Sequence, residues 1–116
     1  RPLAEHGNSK AEYNIGAMYD YGLWIKQDYK QAFKWFSLSA EQGHAKAGYK
    51  LGLMYEEGRG TDLEFIKAYM WYRIAEVGGE NRGSMNRDAI EKKMTPAQIA
   101  EAQKLAREWM EERGRE

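Results

Sequence analysis

Apolar side chains recur along this chain at the spacing of a helix rather than in the alternation of a strand. Tyr13, Gly16 and Tyr19 lie three residues apart, and Ile15 and Met18 fall between them on the same turns. Positions i, i+3, i+4 and i+7 share one face of a helix. The clearest such face runs through residues 29 to 40, at Tyr29, Ala32, Phe33, Phe36 and Ala40.

The residues between these two segments carry the signals of a helix end and a helix start. Gly22 follows the first segment, where a left-handed C-terminal cap belongs. Asp28 precedes the second segment, and its carboxylate can accept the free backbone N–H groups of a first turn. Gly43 closes the second segment. The pattern therefore predicts two helices joined by a short loop.

The same pattern returns 36 residues later. An ungapped shift by 36 positions aligns thirteen identical residues among the forty positions from 4 to 43. Chance would give about two or three identities on ordinary residue frequencies. Identical pairs include Gly16 with Gly52 and Trp35 with Trp71. The chain thus contains a repeat, and its second copy predicts helices over 45–57 and from about Asp62 to Val77.

A glycine recurs inside the first helix of each unit, at Gly16 and Gly52. Glycine within a helix costs about 1 kcal/mol relative to alanine, so its repetition needs a reason. We expect close approach between the paired helices, with Ala32 and Ala68 as the small partners. A direct contact with a ligand is the alternative.

The repeated segments resemble a known repeat family. Residues 10–22, KAEYNIGAMYDYG, with 28–36, DYKQAFKWF, and 40–47, AEQGHAKA, are similar to the Sel-like repeat (SLR), a 36-residue relative of the tetratricopeptide repeats. Residues 47–58 and 67–72 are similar again, and the resemblance covers residues 3–80. It implies an all-α fold, a tetratricopeptide-like superhelix (α-solenoid) of antiparallel helix pairs. It also implies an adaptor or scaffold role toward other proteins, commonly in bacteria.

On this basis residues 1–116 form a single repeat domain. Residues 3–8 match the tail of a preceding unit, 9–44 form repeat 1, 45–80 form repeat 2, and 81–113 form a degenerate unit with a capping helix. Because the chain begins at Arg1 rather than Met, we expect a processed form from which a targeting segment has been removed. Because the body of the first unit is missing, the chain is expected either to be part of a longer array or to begin mid-unit. The compartment and the oligomeric state stay open.

The last third loses the repeat and predicts a terminal cap. Residues 81–93 look like a degenerate helix, and a solenoid is expected to end in an atypical, more polar unit. Thr95, Pro96 and Gln98 then form a helix start with a capping box. The following helix should cover the last repeat; a docking element for a partner is the alternative. Its apolar side is made of Ile99, Ala102, Leu105, Ala106, Trp109 and Met110.

Composition removes several classes of function. Eighteen Lys and Arg balance eighteen Asp and Glu, so the formal net charge is zero. A neutral chain is a poor candidate for gripping nucleic acid, and no apolar run approaches the roughly 20 residues that span a bilayer. The absence of cysteine excludes disulfides, thiolate metal sites and thiol catalysis. We expect neither nucleic-acid binding nor membrane insertion.

Candidate chemistry is sparse. The only histidines are His6 and His44, too few for a metal site without further ligands, and His44 is expected to be part of a turn. We predict no catalytic residue, no metal and no cofactor, and we expect the chain to be non-enzymatic. One alternative is a β-lactam-binding or hydrolysing enzyme like the cysteine-rich relatives in the family, whose paired cysteines are missing here. Another is a purely structural spacer.

A partner would lie on the inner, concave face of the solenoid, which first helices normally line. Lysines stand near the helix starts, aromatic rings midway and acids at the far ends, a pattern that suits an extended peptide with carboxylates near the amines. An ordinary exposed helix face is the alternative. Trp24 is harder to place, either packed on a neighbouring unit or exposed as a contact. The predicted partner-binding residues are Lys10, Tyr13, Asn14, Ala17, Asp20, Tyr21, Lys46, Tyr49, Lys50, Leu53, Glu56 and Glu57.

Overall fold

The helical pattern predicted from the sequence is present in the computed structural model, which describes residues 8–114. That part of the chain holds six helices and no strand. The positions assigned to the tail of a preceding unit before Asn8, together with His6, lie outside the described residues. The helices are α1 Ser9–Tyr21, α2 Tyr29–Glu41, α3 Ala45–Glu57, α4 Phe65–Val77, α5 Arg82–Glu91 and α6 Pro96–Gly114.

The two units have the same backbone geometry. Helix α1 pairs with α2 and α3 pairs with α4, while α2 packs on α3 to join the units. Both first helices end on a left-handed glycine, Gly22 with φ 71° and Gly58 with φ 68°. Asp28 accepts from the backbone N–H groups of Lys30 and Gln31 at the start of α2, as predicted. The fold is thus an all-α solenoid of antiparallel helix pairs.

The start of α4 corrects one boundary. The sequence predicted helix from about Asp62, whereas α4 begins at Phe65. The reason is that Glu64 is extended, with φ −146° and ψ 105°, close to the values of −153° and 104° at Asp28. The unit therefore keeps the same loop length in both copies, and Asp62 belongs to the loop.

The two helical glycines make room for aromatic rings of the second helix, not for its alanine side chains. A Cβ on Gly16 would lie 2.7 Å from the ring of Phe36, and a Cβ on Gly52 would lie still closer to the ring of Tyr72. Close approach was the correct prediction, but the partners are not Ala32 and Ala68. Both rings are fully buried. In each unit, one aromatic ring of the second helix therefore packs directly against the glycine backbone of the first helix.

Helix α6 covers the last repeat as predicted, and it begins with the predicted capping box. The Thr95 hydroxyl accepts from the backbone N–H of Gln98, and the Gln98 side chain accepts from the backbone N–H of Thr95. Ala102 and Ala106 are buried where α6 packs on α4. The indole of Trp109 lies edge-on to Trp71 with ring centroids 5.5 Å apart. The preceding α5 is shorter than the predicted 81–93.

Helix α6 also reaches back to the first unit. The guanidinium of Arg113 donates to the backbone carbonyls of Glu41 and Gln42 at 2.6 and 2.9 Å. Trp109 Nε1 donates to the Glu41 carboxylate at 3.0 Å. The capping helix therefore contacts both repeats, which the sequence did not indicate. No helix within residues 8–114 is long and apolar enough to cross a membrane.

Candidate functional site

A groove opens between the first helices of the two units, because α1 and α3 do not pack closely on each other. At the end where these helices start, it widens into a pocket of about 390 Å³. Four of the predicted residues line it, with His44, Ala45 and the turn that follows α4. These four are Lys10, Tyr13, Asn14 and Lys46.

His44 forms the floor between the two units. It is the N-cap of α3, and its Nδ1 accepts from the backbone N–H of Ala47 at 3.3 Å. Its ring stacks on Tyr13 with centroids 4.9 Å apart and an interplanar angle of 18°. The structural role predicted for His44 is therefore correct, and the ring also belongs to the pocket wall.

Two lysines lie beside His44 in this pocket. Partial burial lowers the pKa of His44, and the charges of Lys46 and Lys10 lower it further. Burial and nearby ammonium groups both disfavour the protonated imidazole. Glu80 also lines the pocket; Arg82 binds it through two hydrogen bonds of 2.9 Å, and Arg82 together with Lys46 holds the pKa of Glu80 below the ordinary value. The lysine side of the pocket can thus attract an anionic group.

The other end of the groove holds a second depression of about 340 Å³. Lys50 Nζ donates to the Tyr21 hydroxyl at 2.7 Å and lies 5.0 Å from the centre of that ring. This contact bridges α1 and α3 across the groove. The predicted residues brought together here are Asp20, Tyr21, Lys50 and Leu53.

The remaining predicted residues are engaged within the fold. Tyr49 is only 8% exposed, and the Arg82 guanidinium lies 4.4 Å from the centre of its ring. Ala17 packs against the core. Glu56 accepts from the Tyr72 hydroxyl at 2.6 Å, and Glu57 pairs with Arg59. At the lysine end of the groove the open aromatic surface is therefore that of Tyr13 with His44, while Tyr21 is exposed at the other end.

Two polar residues of the pocket, His44 and Glu80, were not predicted from the sequence as partner-binding, nor was Arg82, which binds Glu80. The signal for His44 was its place at the boundary between units, where the end of one helix pair meets the start of the next. Glu80 and Arg82 lie in the degenerate part, where the repeat gives no register. The turn and the first residues of α5 bring them beside Tyr49.

No catalytic arrangement emerges from these contacts. Within residues 8–114 no three side chains of His, Asp or Glu come together in a way that could hold a metal ion. Burial raises the pKa of Tyr72 above its ordinary value, and its hydroxyl is occupied by Glu56. The groove presents charged and aromatic side chains, chiefly Lys10, Lys46 and the stacked rings of Tyr13 and His44.

Comparison with known proteins gives a consistent result. The model of the Sel1 repeat family matches residues 9–44 and 45–76. The chain is similar to a protective antigen of uropathogenic Escherichia coli that displays an SLR fold, with 33% identity and a TM-score of 0.87 over 93% of this chain. It is also similar to a Sel1 repeat protein from Oxalobacter formigenes, with 37% identity and a TM-score of 0.68 over 74% of this chain. These matches span only 23% and 35% of the two proteins' lengths. No match was found among curated proteins.

Proposed function

The chain belongs to the Sel1 repeat family, whose members often act as protein-interaction modules, and we propose that it is a non-enzymatic adaptor or scaffold. Its partner is a protein or peptide that lies in the groove between α1 and α3. The observation that carries this proposal is the pocket at the start of these helices, where two exposed lysines flank a stacked pair of rings.

The chemistry of the groove favours a peptide with a carboxylate at one end. Lys10 and Lys46 are both exposed, and they add to the burial that lowers the pKa of His44. An acidic side chain or a terminal carboxylate placed there would meet two ammonium groups in a partly enclosed site. Asp20, at the far end of α1, would face the opposite end of the peptide. The groove therefore has a polarity that can set the direction of the bound chain.

The length of the groove sets the size of the ligand. Helix α1 has 13 residues, which corresponds to about 20 Å at 1.5 Å per residue. An extended peptide rises about 3.3 Å per residue, so about six residues would fill the groove. The stacked surface of Tyr13 and His44 lies next to the lysines, where it would receive a flat or apolar side chain beside the carboxylate.

A displayed library of random peptides tests this proposal with a defined probe. Selected peptides should carry Asp, Glu or a free carboxyl terminus at one end, next to an apolar residue. An exposed ion pair contributes roughly 0.2–1 kcal/mol, so Lys10→Ala and Lys46→Ala should each weaken binding by about threefold and together by about tenfold.

Lys104→Ala is the matched control, because Lys104 is an exposed lysine on α6, away from the groove. Tyr13→Ala should weaken the same peptides by removing the stacked surface. Tyr49→Ala is unsuitable because that ring is buried in the fold. Peptides without acidic residues, or affinities that the lysine and tyrosine variants leave unchanged, would show that the groove is not the binding surface.

A further inference from the structure

Helices α5 and α6 both pack on α4 but do not pack closely on each other. In the two repeats, by contrast, the two helices of a pair pack directly. The third pair therefore leaves a cleft of about 380 Å³ between α5 and α6, and α4 forms its third wall. This cleft shares no lining residue with the two ends of the groove between α1 and α3.

Three arginines line the cleft, one from each of its helices. They are Arg73 on α4, Arg87 on α5 and Arg107 on α6. Among the described residues that line the cleft, Glu91 on α5 is the one with a carboxylate, and the others are uncharged. The lining thus carries three positive charges and one negative charge.

Two further carboxylates lie outside the lining and neutralise part of this charge. Glu76 accepts from Arg73 Nη1 at 3.0 Å and also accepts from Arg87 Nη1. Asp88 accepts from Arg87 Nη2 at 3.4 Å, and the Asp88 side chain is 68% exposed. One well-placed carboxylate is therefore shared between two guanidinium groups, and an exposed ion pair such as that of Asp88 contributes little.

Two of the guanidinium groups have N–H groups to spare. Arg107 is exposed and makes no hydrogen bond or ion pair with another residue among positions 8–114. The Arg87 side chain is only 19% exposed, and its buried Nε has no hydrogen-bond partner in the same part of the chain. Each guanidinium carries five N–H donors. The arginines of the cleft therefore offer more donors than the neighbouring carboxylates accept.

The donor set suits a phosphate group. Guanidinium groups bind oxyanions through paired N–H···O bonds. A phosphate monoester carries a charge of about −1.5 to −2 at pH 7 and three acceptor oxygens, which is more of both than a carboxylate has. Arginines that come from three separate helices can each reach a different oxygen of one such group.

Glu91 indicates the rest of the ligand. The Tyr69 hydroxyl donates to the Glu91 carboxylate at 3.3 Å, and the Gln103 amide donates to that hydroxyl at 3.2 Å. A carboxylate has acceptor capacity beyond this one bond, so Glu91 can accept from a hydroxyl group of a ligand, whereas it would repel a second anion. The volume of about 380 Å³ is at the lower end of the range for small-molecule sites, about 300–1,000 Å³.

We propose that the cleft between α4, α5 and α6 is a binding site for a small phosphorylated polyol, such as a hexose monophosphate. Arg73, Arg87 and Arg107 bind the phosphate, and Glu91 accepts from a hydroxyl group of the polyol. The ligand joins α5 to α6, so it stabilises the end of the solenoid. This site is independent of the partner proposed for the groove between α1 and α3.

Isothermal titration calorimetry with glucose 6-phosphate, inorganic phosphate and glucose tests the proposal. Glucose 6-phosphate should bind with a dissociation constant on the order of 100 μM, and inorganic phosphate should bind about tenfold more weakly because it lacks the hydroxyl contact. Glucose alone should not bind measurably. Affinity for both phosphates should fall between about 50 and about 500 mM NaCl, because the contact is ionic. Saturating glucose 6-phosphate should also raise the melting temperature.

Arg107→Gln is the decisive variant, because Arg107 has no bond within the described chain to lose. It should weaken the binding of both phosphates about tenfold and leave the melting temperature of the ligand-free chain unchanged. Lys104→Gln is the matched control, since Lys104 is an exposed basic residue of α6 outside the cleft, and it should leave both affinities unchanged. Glu91→Gln should strengthen the binding of inorganic phosphate, because it removes the negative charge of the cleft.

Absence of binding of either phosphate at about 10 mM, or affinities that Arg107→Gln leaves unchanged, would overturn the proposal. Loss of binding in the double variant Lys10→Ala, Lys46→Ala would also overturn it, because the phosphate would then bind in the groove between α1 and α3. A phosphoserine peptide that binds in an Arg107-dependent way when glucose 6-phosphate does not would overturn it as well, and would assign the cleft to a phosphorylated protein.

Discussion

Two glycines of the same helix should respond in opposite directions to the same substitution. Gly48 and Gly52 are one turn apart on α3, and both are buried. A Cβ on Gly48 would lie 3.5 Å from the Trp71 ring and 3.7 Å from the Ala75 Cβ, which is ordinary contact. A Cβ on Gly52 would overlap the Tyr72 ring, which is fully buried and hydrogen-bonded to Glu56.

The magnitudes follow from these contacts. In a helix interior, alanine has a more favourable helix propensity than glycine by about 1 kcal/mol. Gly48→Ala should therefore raise the free energy of unfolding by about 0.5–1 kcal/mol. At Gly52 overpacking costs about 1–3 kcal/mol, and loss of the Tyr72–Glu56 hydrogen bond adds about 1 kcal/mol. After subtraction of the helix gain, Gly52→Ala should destabilise by about 2 kcal/mol.

Thermal and urea unfolding measured by circular dichroism provide the assay. At about 4 °C per kcal/mol for a domain of this size, Gly48→Ala should raise the melting temperature by about 3 °C and Gly52→Ala should lower it by about 8 °C. Tyr72→Leu should cost less in the Gly52→Ala background than in the unaltered chain, because the ring that is overpacked is removed. Equal effects at Gly48 and Gly52, or no coupling between Gly52 and Tyr72, would refute the account of ring-against-backbone packing.

Four further outcomes follow from other contacts. The pKa of His44 is lowered in the folded state, so the unfolded chain binds the proton more readily; stability should be fully present above about pH 6.5 and fall as the pH drops through the folded-state pKa. In denaturant titrations between pH 5 and 8, His44→Asn, which keeps a capping side chain, should flatten this dependence. Addition of a selected acidic peptide should raise the pKa of His44 in an NMR titration, because a carboxylate would offset Lys10 and Lys46; an unchanged pKa would place the acid elsewhere. Thr95→Ala should cost about 1 kcal/mol in urea unfolding by removing the α6 cap, and Thr95→Ser should retain most of it. Arg113→Ala should cost about 1–2 kcal/mol in the same assay by leaving two backbone carbonyls without their donor, and no loss would mean that water replaces it.

The repeat could be predicted from the sequence because its signals are the spacings between residues close together in the chain. Helix bounds, the left-handed caps and the Asp28 cap all depend on residues within a few positions of each other. The partners of Gly16 and Gly52 could not be predicted in this way. Which residue of α2 faces Gly16 depends on the crossing of two helices, and periodicity alone does not fix the relative rotation that selects Phe36 over Ala32.

The groove shows the same division between local and distant information. The position of Lys10, Tyr13, Asn14 and Lys46 follows from the face of the helix on which they lie. The burial of Tyr49 does not follow from its helix face. Arg82 and Asn86 contact Tyr49 from α5, in the part of the chain where the repeat is lost. An equivalent position in a repeat can therefore be open in one unit and covered in the next, and Tyr13 and Tyr49 differ for this reason.

The capping helix links stability to the groove. Arg113 binds the carbonyls of Glu41 and Gln42, and its guanidinium lies directly against Gly43, where a Cβ would be 2.7 Å away. The next residue is His44, whose ring faces the groove on the other side of this turn. Helix α6 thus contacts the turn between the units on one side. On the groove side, the same turn carries His44 and the start of α3. Because α6 also packs on α4, it adds a second link between the units to the direct packing of α2 on α3. The spacing of Lys10 and Lys46 across the groove depends on that relative position, so the cap that closes the solenoid also contributes to the geometry of the proposed partner site.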